Sequence, residues 1–245
     1  MSKSNTFGFR VREGTEQVAS GNGFGDRGAR PYRKRKPLPA LIVIGVLGLG
    51  AVFVWVNAII SRADIDETIK CSPPPTPQAG VTYTPLGHGA LDDKAPQPPD
   101  KIAVKVLNAS KVRGQGGITT ESLRALGFTQ IGEPADDPAY PGDLKAACRG
   151  QLRFGENGET AARTLSLLMP CVELIRDNRK DATVDVTLGT TFGDLRPTAA
   201  ASKLIAQLKT WSEQHQGSGG GEQSAGASAP VLDKTMLASA RDVTC

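Results

Sequence analysis

From Leu38 to Ile60 the chain runs LPALIVIGVLGLGAVFVWVNAII without one charged side chain. At about 1.5 Å of rise per residue, a helix over this stretch crosses the roughly 30 Å hydrocarbon core of a bilayer. It is apolar on every face, which predicts a transmembrane helix rather than a core helix of a soluble protein. Beyond it the pattern shortens. Ile102, Val104 and Val106 alternate with polar neighbours, and Asn108 to Gly117 form a turn-rich loop. Ile118 to Leu126 then read as a helix that Thr119 or Thr120 would cap and Gly127 would end. A strand is expected around Thr129 to Gly132, followed by the polar loop EPADDPAYPGD.

A second unit repeats this plan. Gln151 to Phe154 read as a strand, Gly155 to Gly158 as a turn, and Glu159 to Met169 as a helix with Ala161, Leu165, Leu168 and Met169 on one face. Pro170 stops that helix, and strands follow at Val172 to Ile175 and Ala182 to Leu188. Pro197 to Gln214 form an amphipathic helix with Leu204, Leu208 and Trp211 on one side. The expected fold class is α/β, a small sheet with two βα units following a single N-terminal transmembrane helix. The expected organisation is a basic disordered cytoplasmic tail over 1–37, the membrane helix over 38–60 and a Pro-rich stalk over 61–100. An α/β domain over 101–194, an amphipathic helix over 195–215 and a Gly/Ser linker with a Cys-ending tail over 216–245 complete it.

Charge sets the orientation. Residues 1–37 hold 9 of the 29 Lys and Arg residues and 3 of the 25 Asp and Glu residues, which leaves 20 against 22 for the remainder. The basic cluster Arg30, Arg33, Lys34, Arg35 and Lys36 directly precedes the apolar span, so the N-terminus is expected in the cytoplasm and the rest outside, anchored in the plasma membrane by one span. With no dense Lys/Arg cluster after Lys36, nucleic acid is not an expected partner.

All 4 cysteines, Cys71, Cys148, Cys171 and Cys245, lie beyond the span, where an oxidising compartment permits disulfides. They lack the close Cys/His pairs of a zinc site, so no metal is expected. Four cysteines allow three connectivities. In a right-handed crossover, two parallel strands start at the same end of the sheet, and Cys148 and Cys171 each precede such a strand. That argument favours Cys148 with Cys171 and leaves Cys71 with Cys245.

The run IAVKVLNASKVRGQGGITTESLRALGF, followed by LRFGENGETAARTLSLLM and ATVDVTLGTTF, resembles the LytR C-terminal domain family over about residues 101–194. The family's strand ends in Val-Leu-Asn-Gly/Ala-Ser/Thr, its loop is rich in Arg and Gly, and its helix closes in Leu-Gly-Phe. Its last strand carries Val-Leu-Gly where this chain has Val-Thr-Leu-Gly, and Ala109 stands where Gly is common. The resemblance implies a domain that often follows a LytR-CpsA-Psr catalytic domain, which transfers glycopolymers from lipid carriers. The short stretch between Cys71 and Lys101 has no room for that enzyme. The implied role is therefore non-enzymatic: support of envelope or cell-wall integrity by binding an envelope glycopolymer or a membrane protein, or service as an accessory subunit of such a ligase.

No catalytic constellation competes with this reading. Gly114, Gln115, Gly116 and Gly117 precede a helix as a phosphate cradle would, but no Walker Lys-Ser/Thr follows. The G-x-G-x-x-G match at Gly23, Gly25 and Gly28 lies in the polar tail with no strand before it. His88 and His215 lack triad partners in sequence, and Asp136 and Asp137 fit ordinary loop chemistry. No cofactor is expected. The candidate partner loop comprises Asn108, Ser110, Arg113, Gly114, Gly116 and Gly117, with Arg113 the group able to meet an anionic glycan or a carboxylate.

Overall fold

The structure is a computed structural model that describes residues 38–74, 80–215 and 230–245. Residues 1–37 and 216–229, which include the basic tail and most of the Gly/Ser linker, lie outside the described residues. The chain divides into two compact units, 1–49 and 50–245. Helix α1, Leu38–Ile69, contains the uncharged stretch Leu41–Ala58, which is long and apolar enough to cross a membrane. It continues past the apolar stretch until Lys70 and Cys71.

The strands β1 (Thr84–Leu86), β2 (Ala103–Asn108), β3 (Gln130–Ile131), β4 (Ala135–Asp136), β5 (Gly150–Phe154), β6 (Glu173–Arg176) and β7 (Val184–Leu188) form one mixed sheet. The order is β1-β6-β5-β7-β2-β3, with β4 also on β2. β5 and β6 are parallel, with Gln151 opposite Glu173, and helix α3 (Glu159–Leu168) makes the crossover between them. β2 runs parallel to β7, β3 and β4, whereas β7 is antiparallel to β5. Helix α2 (Gln115–Ala125) links β2 to β3.

The strict alternation of the strands builds two unlike faces. Val104, Val106, Leu152, Phe154, Leu174, Val184, Val186 and Leu188 point into one apolar core with Leu165 and Leu168 of α3 and Leu204, Ile205 and Leu208 of α4 (Ala199–His215). Side chains of intervening residues, Gln151, Arg153, Glu173 and Thr187, are polar and nevertheless buried. A second small cluster of Cys71, Ala109, Ala139, Tyr140, Ala146 and Cys148 is separate from the main core. Two layers are expected of an α/β sheet; here the second cover is irregular chain rather than a helix.

Several sequence expectations change. α2 begins at Gln115, so Gly116 and Gly117 lie in its first turn and Gly114, at φ 80°, takes the cap position. Thr119 and Thr120 are buried inside the helix, where Thr119 Oγ1 donates to the carbonyl of Gln115 at 3.0 Å. The region read as a Pro-rich stalk is part of the fold from residue 80 onward. β1 pairs antiparallel with β6, Leu91 is fully buried in the main core, and Thr164 of α3 both accepts from Gln97 N at 2.8 Å and donates to Gln97 O at 2.7 Å. The C-terminal tail holds helix α5, Lys234–Arg241, capped by Asp233, whose side chain accepts from Thr235 N at 2.7 Å. Ala240 is fully buried in the core, and Met236 and Leu237 pack against it.

The disulfide pairing is also different. Cys71 bonds Cys148, with Cα atoms 4.7 Å apart, and Cys171 bonds Cys245 at 5.4 Å. The expected Cys148–Cys171 bridge fails although β5 and β6 are parallel neighbours. The segment before β5 turns toward β7: Thr191 N donates to Cys148 O at 3.0 Å and Gly189 N donates to Arg149 O at 3.0 Å. β7 lies on the opposite side of β5 from β6, so this turn takes Cys148 away from Cys171. Cys171 follows the end of α3 and meets the tail instead. The bridges span sequence separations of 77 and 74 residues. Chain-entropy reasoning gives about 4–5 kcal/mol of stabilisation for loops of that length.

A side chain at Gly189 would place its Cβ 2.2 Å from Cys148 O and 3.0 Å from Cys148 Sγ, whereas one at Gly193 meets nothing within 4 Å. Gly189→Ala is expected to destabilise the domain by about 1–3 kcal/mol and Gly193→Ala by less than about 0.5 kcal/mol, read as urea midpoints of the oxidised protein.

Candidate functional site

The predicted loop leaves the sheet where β2 ends. Asn108 Oδ1 accepts from Ser110 N at 3.1 Å and lies 2.7 Å from Ser110 Oγ, while Asn108 Nδ2 donates to Val112 O at 3.0 Å. Val112 N donates to Ser110 Oγ at 3.0 Å, and Ser110 Oγ also contacts Gln115 Oε1. The single hydroxyl proton of Ser110 serves one of its two acceptors at a time. Gln115 Nε2 donates to Phe192 O at 2.8 Å, which ties the start of α2 to the segment after β7. Asn108 and Ser110 are therefore consumed in shaping the loop. Gly114 supplies the left-handed turn, and a Cβ at Gly116 would come within 3.1 Å of Pro134 Cβ. Gly117 has open space around it. Of the predicted residues, Arg113 is the one left exposed with a functional group to offer, and exposed Val112 and Ile118 flank it.

The polar face of the sheet was not legible as a cluster from sequence. Arg153 Nε and Nη2 donate to Gln151 Oε1 at 2.9 and 2.7 Å, and Nη1 donates to Asp137 Oδ1 at 3.0 Å. Asp137 Oδ2 lies 2.8 Å from Nη2. Gln151 Nε2 donates to Glu173 Oε2 at 2.7 Å, and Cys71 N donates to the same oxygen at 3.1 Å. The rings of Tyr83 and Tyr140 sit 5.2 and 5.9 Å from the Arg153 guanidinium carbon, and Tyr140 OH donates to Ser72 O at 2.6 Å. Exposure of Asp137, Arg153, Gln151 and Glu173 is 1%, 3%, 5% and 6%, which closes the cluster to any substrate. Its chemistry is adhesive: it fastens the chain around Cys71 and the 137–148 loop to the sheet. Asp136 and Asp137 consequently part company, Asp136 exposed on β4 and Asp137 buried on Arg153. The two histidines are far apart in role as well. His88 Nε2 meets Pro170 O at 2.8 Å, and His215 stacks on Trp211.

The match to known proteins agrees with this architecture. The family model described as LytR cell envelope-related transcriptional attenuator matches residues 101–192. The cell envelope integrity protein Cei of Mycobacterium tuberculosis is 38% identical over 197 residues, 79% of this chain and 89% of the relative. This chain belongs to the Cei family, built on a LytR C-terminal domain. A crystal structure of the soluble domain of a conserved hypothetical secreted protein from Mycobacterium marinum superimposes with a TM-score of 0.54 at 30% identity, covering 66% of this chain and 97% of that one. The Cei-family match extends well outside 101–192 and so takes in parts of the chain that the LytR C-terminal domain alone does not.

Burial pushes the Tyr140 phenol up to about 12, with Arg153 pulling the other way, and raises Tyr83 as well. A tyrosine in the unfolded chain ionises near its ordinary 10, so the unfolded state loses its proton first as pH rises. Stability is then complete below about pH 10 and falls between about pH 10 and about pH 12. Tyr140→Phe removes that ionisation together with the Ser72 bond. Compared by urea midpoints at about pH 8 and about pH 11, the variant is expected to start about 1 kcal/mol lower and to lose less on going alkaline.

Proposed function

We propose that this protein is a non-enzymatic, single-pass envelope protein that supports cell-envelope integrity by binding an envelope glycopolymer or an envelope membrane protein. The similarity to Cei carries the envelope role. The boundaries read from sequence assign residues 1–37 to the cytoplasm, 38–60 to the membrane and the remainder to the extracytoplasmic side, and two disulfides fit an oxidising compartment. The binding element is the loop from Asn108 to Gly117. Asn108 and Ser110 are spent on holding its shape, so it is preorganised, and it carries the exposed Arg113 next to the exposed Val112, with the exposed Ile118 in the helix that follows. A guanidinium beside apolar side chains suits a glycan bearing an acidic group or a protein surface with a carboxylate.

The test is retention of isolated envelope polymers and of crosslinked membrane proteins on the immobilised full-length protein, with Arg113→Glu as the comparison. The substitution is at an exposed site and is expected to shift stability by less than about 0.5 kcal/mol while lowering retention at least about tenfold. Retention of a defined polymer identifies a glycopolymer binder. Enrichment of a ligase without polymer identifies an accessory subunit, and unchanged retention in Arg113→Glu refutes the loop as the binding element.

A further inference from the structure

Away from the sheet's polar face, residues distant in sequence line an open groove of about 1230 Å³, among them Asp66, His88, Asp92, Arg163, Leu237 and Arg241. Two guanidinium groups lie buried there. The side chains of Arg163 and Arg241 are 3% and 7% exposed, and both donate through Nη1 to the same atom, Asp92 Oδ1, at 2.8 and 3.1 Å. Arg241 Nη2 also donates to His88 O. The Nε atoms of both arginines are buried without an acceptor. Asp92 itself is 54% exposed, so the single carboxylate that serves two buried cations is shared with water. The other acidic residues of the groove, Asp66, Asp93 and Asp242, are exposed and make no ion pair with either arginine among the described residues.

This is an unbalanced arrangement. Taking a charge out of water is costly unless a partner and further hydrogen bonds compensate it. Arg241 registers the imbalance: burial drives its pKa down to about 10, Asp92 opposes that, and the neighbouring Arg163 adds to it. One carboxylate oxygen accepts from both forks, whereas a tetrahedral phosphate offers separate oxygens to each and suits guanidinium geometry. The groove also has room for whatever the phosphate is esterified to.

We propose that Arg163 and Arg241 form a binding site for a phosphate group, free or as a phosphate ester, with Asp92 as the internal anion that competes for it. Ile65 and Asp66, from the end of α1 that follows the apolar stretch Leu41–Ala58, line the same groove. A lipid headgroup phosphate and a free phosphate are therefore the two sources to separate. The site uses no residue of the 108–117 loop, so it stands or falls independently of the function proposed above.

The experiment uses full-length oxidised protein in nanodiscs. One arm measures equilibrium binding of radiolabelled inorganic phosphate at constant ionic strength in zwitterionic lipid. The other adds phosphatidylglycerol and quantifies, by mass spectrometry, the lipid retained after exchange into detergent. Asp92→Asn removes the competitor, and its binding in whichever arm is active is expected to tighten about tenfold; Arg241→Gln is expected to weaken it by at least as much. A purely structural triad would instead lose stability in Asp92→Asn without any gain in binding. Saturable phosphate binding with this pattern supports the site and a free anion, while the pattern confined to phosphatidylglycerol supports the site and a lipid headgroup. Absence of binding in both arms, in the parent and in Asp92→Asn alike, overturns the proposal. So does binding that Asp92→Asn leaves unchanged or weakens, which keeps the result decisive even if Arg241→Gln fails to fold.

Discussion

Burying Arg153 obliges the rest of the polar face to form around it. A guanidinium has five N–H donors and a positive charge, so a 3% exposed arginine needs acceptors from its surroundings. Gln151 comes from its own strand, two residues away and on the same face, but Asp137 must be brought by the loop after β4. Gln151 then hands the chain of bonds to Glu173 on β6, and Glu173 accepts from the backbone of Cys71. One buried cation thus fixes a loop, two adjacent strands and the segment that follows helix α1. The Cys71–Cys148 bridge locks covalently what these hydrogen bonds position.

The C-terminal side follows a related logic with weaker internal balance. Cys171–Cys245 and the packing of α5 bring Arg241 beside Arg163, which α3 already holds near Asp92. Where Arg153 has Asp137 and a chain of neutral and acidic partners, Arg163 and Arg241 share one half-exposed carboxylate. The first cluster is closed and cohesive; the second opens on a groove. A fourth arginine, Arg179, is held by Asp177 and Asp185 at 2.7 and 2.6 Å and so has two carboxylates for its one charge, which marks it as structural.

The apolar half of the fold was readable because period alone determines it. The alternation of Val104 and Val106, of Leu152 and Phe154, and of Val184 and Val186 put these residues on one face, and α3 and α4 appear within a few residues of the expected bounds. β1 and β4 are three and two residues long and exist only through their partners on β6 and β2, so no local pattern announces them. Leu91 sits in a Pro-rich stretch whose composition reads as a linker, yet its side chain is fully buried. α5 had a usable signal in Asp233, Met236, Leu237 and Ala240, obscured by the Gly/Ser stretch before it. The loop at Arg113 is a candidate read from its residue types. The Arg163–Asp92–Arg241 group was out of reach, since its members come from separate elements and converge only in the folded chain.

The chain leaving helix α1 is pinned to the sheet at Cys148, and the C-terminal tail is pinned at Cys171. Tryptic mapping of the oxidised, alkylated protein decides it, because cleavage at Lys70, Lys145, Arg149, Arg163, Arg176 and Arg241 separates all four cysteines into different peptides. The structure predicts one linked pair joining the peptide that begins at Cys71 to Ala146–Arg149, and another joining Thr164–Arg176 to Asp242–Cys245. A linked pair of Ala146–Arg149 with Thr164–Arg176 would contradict it.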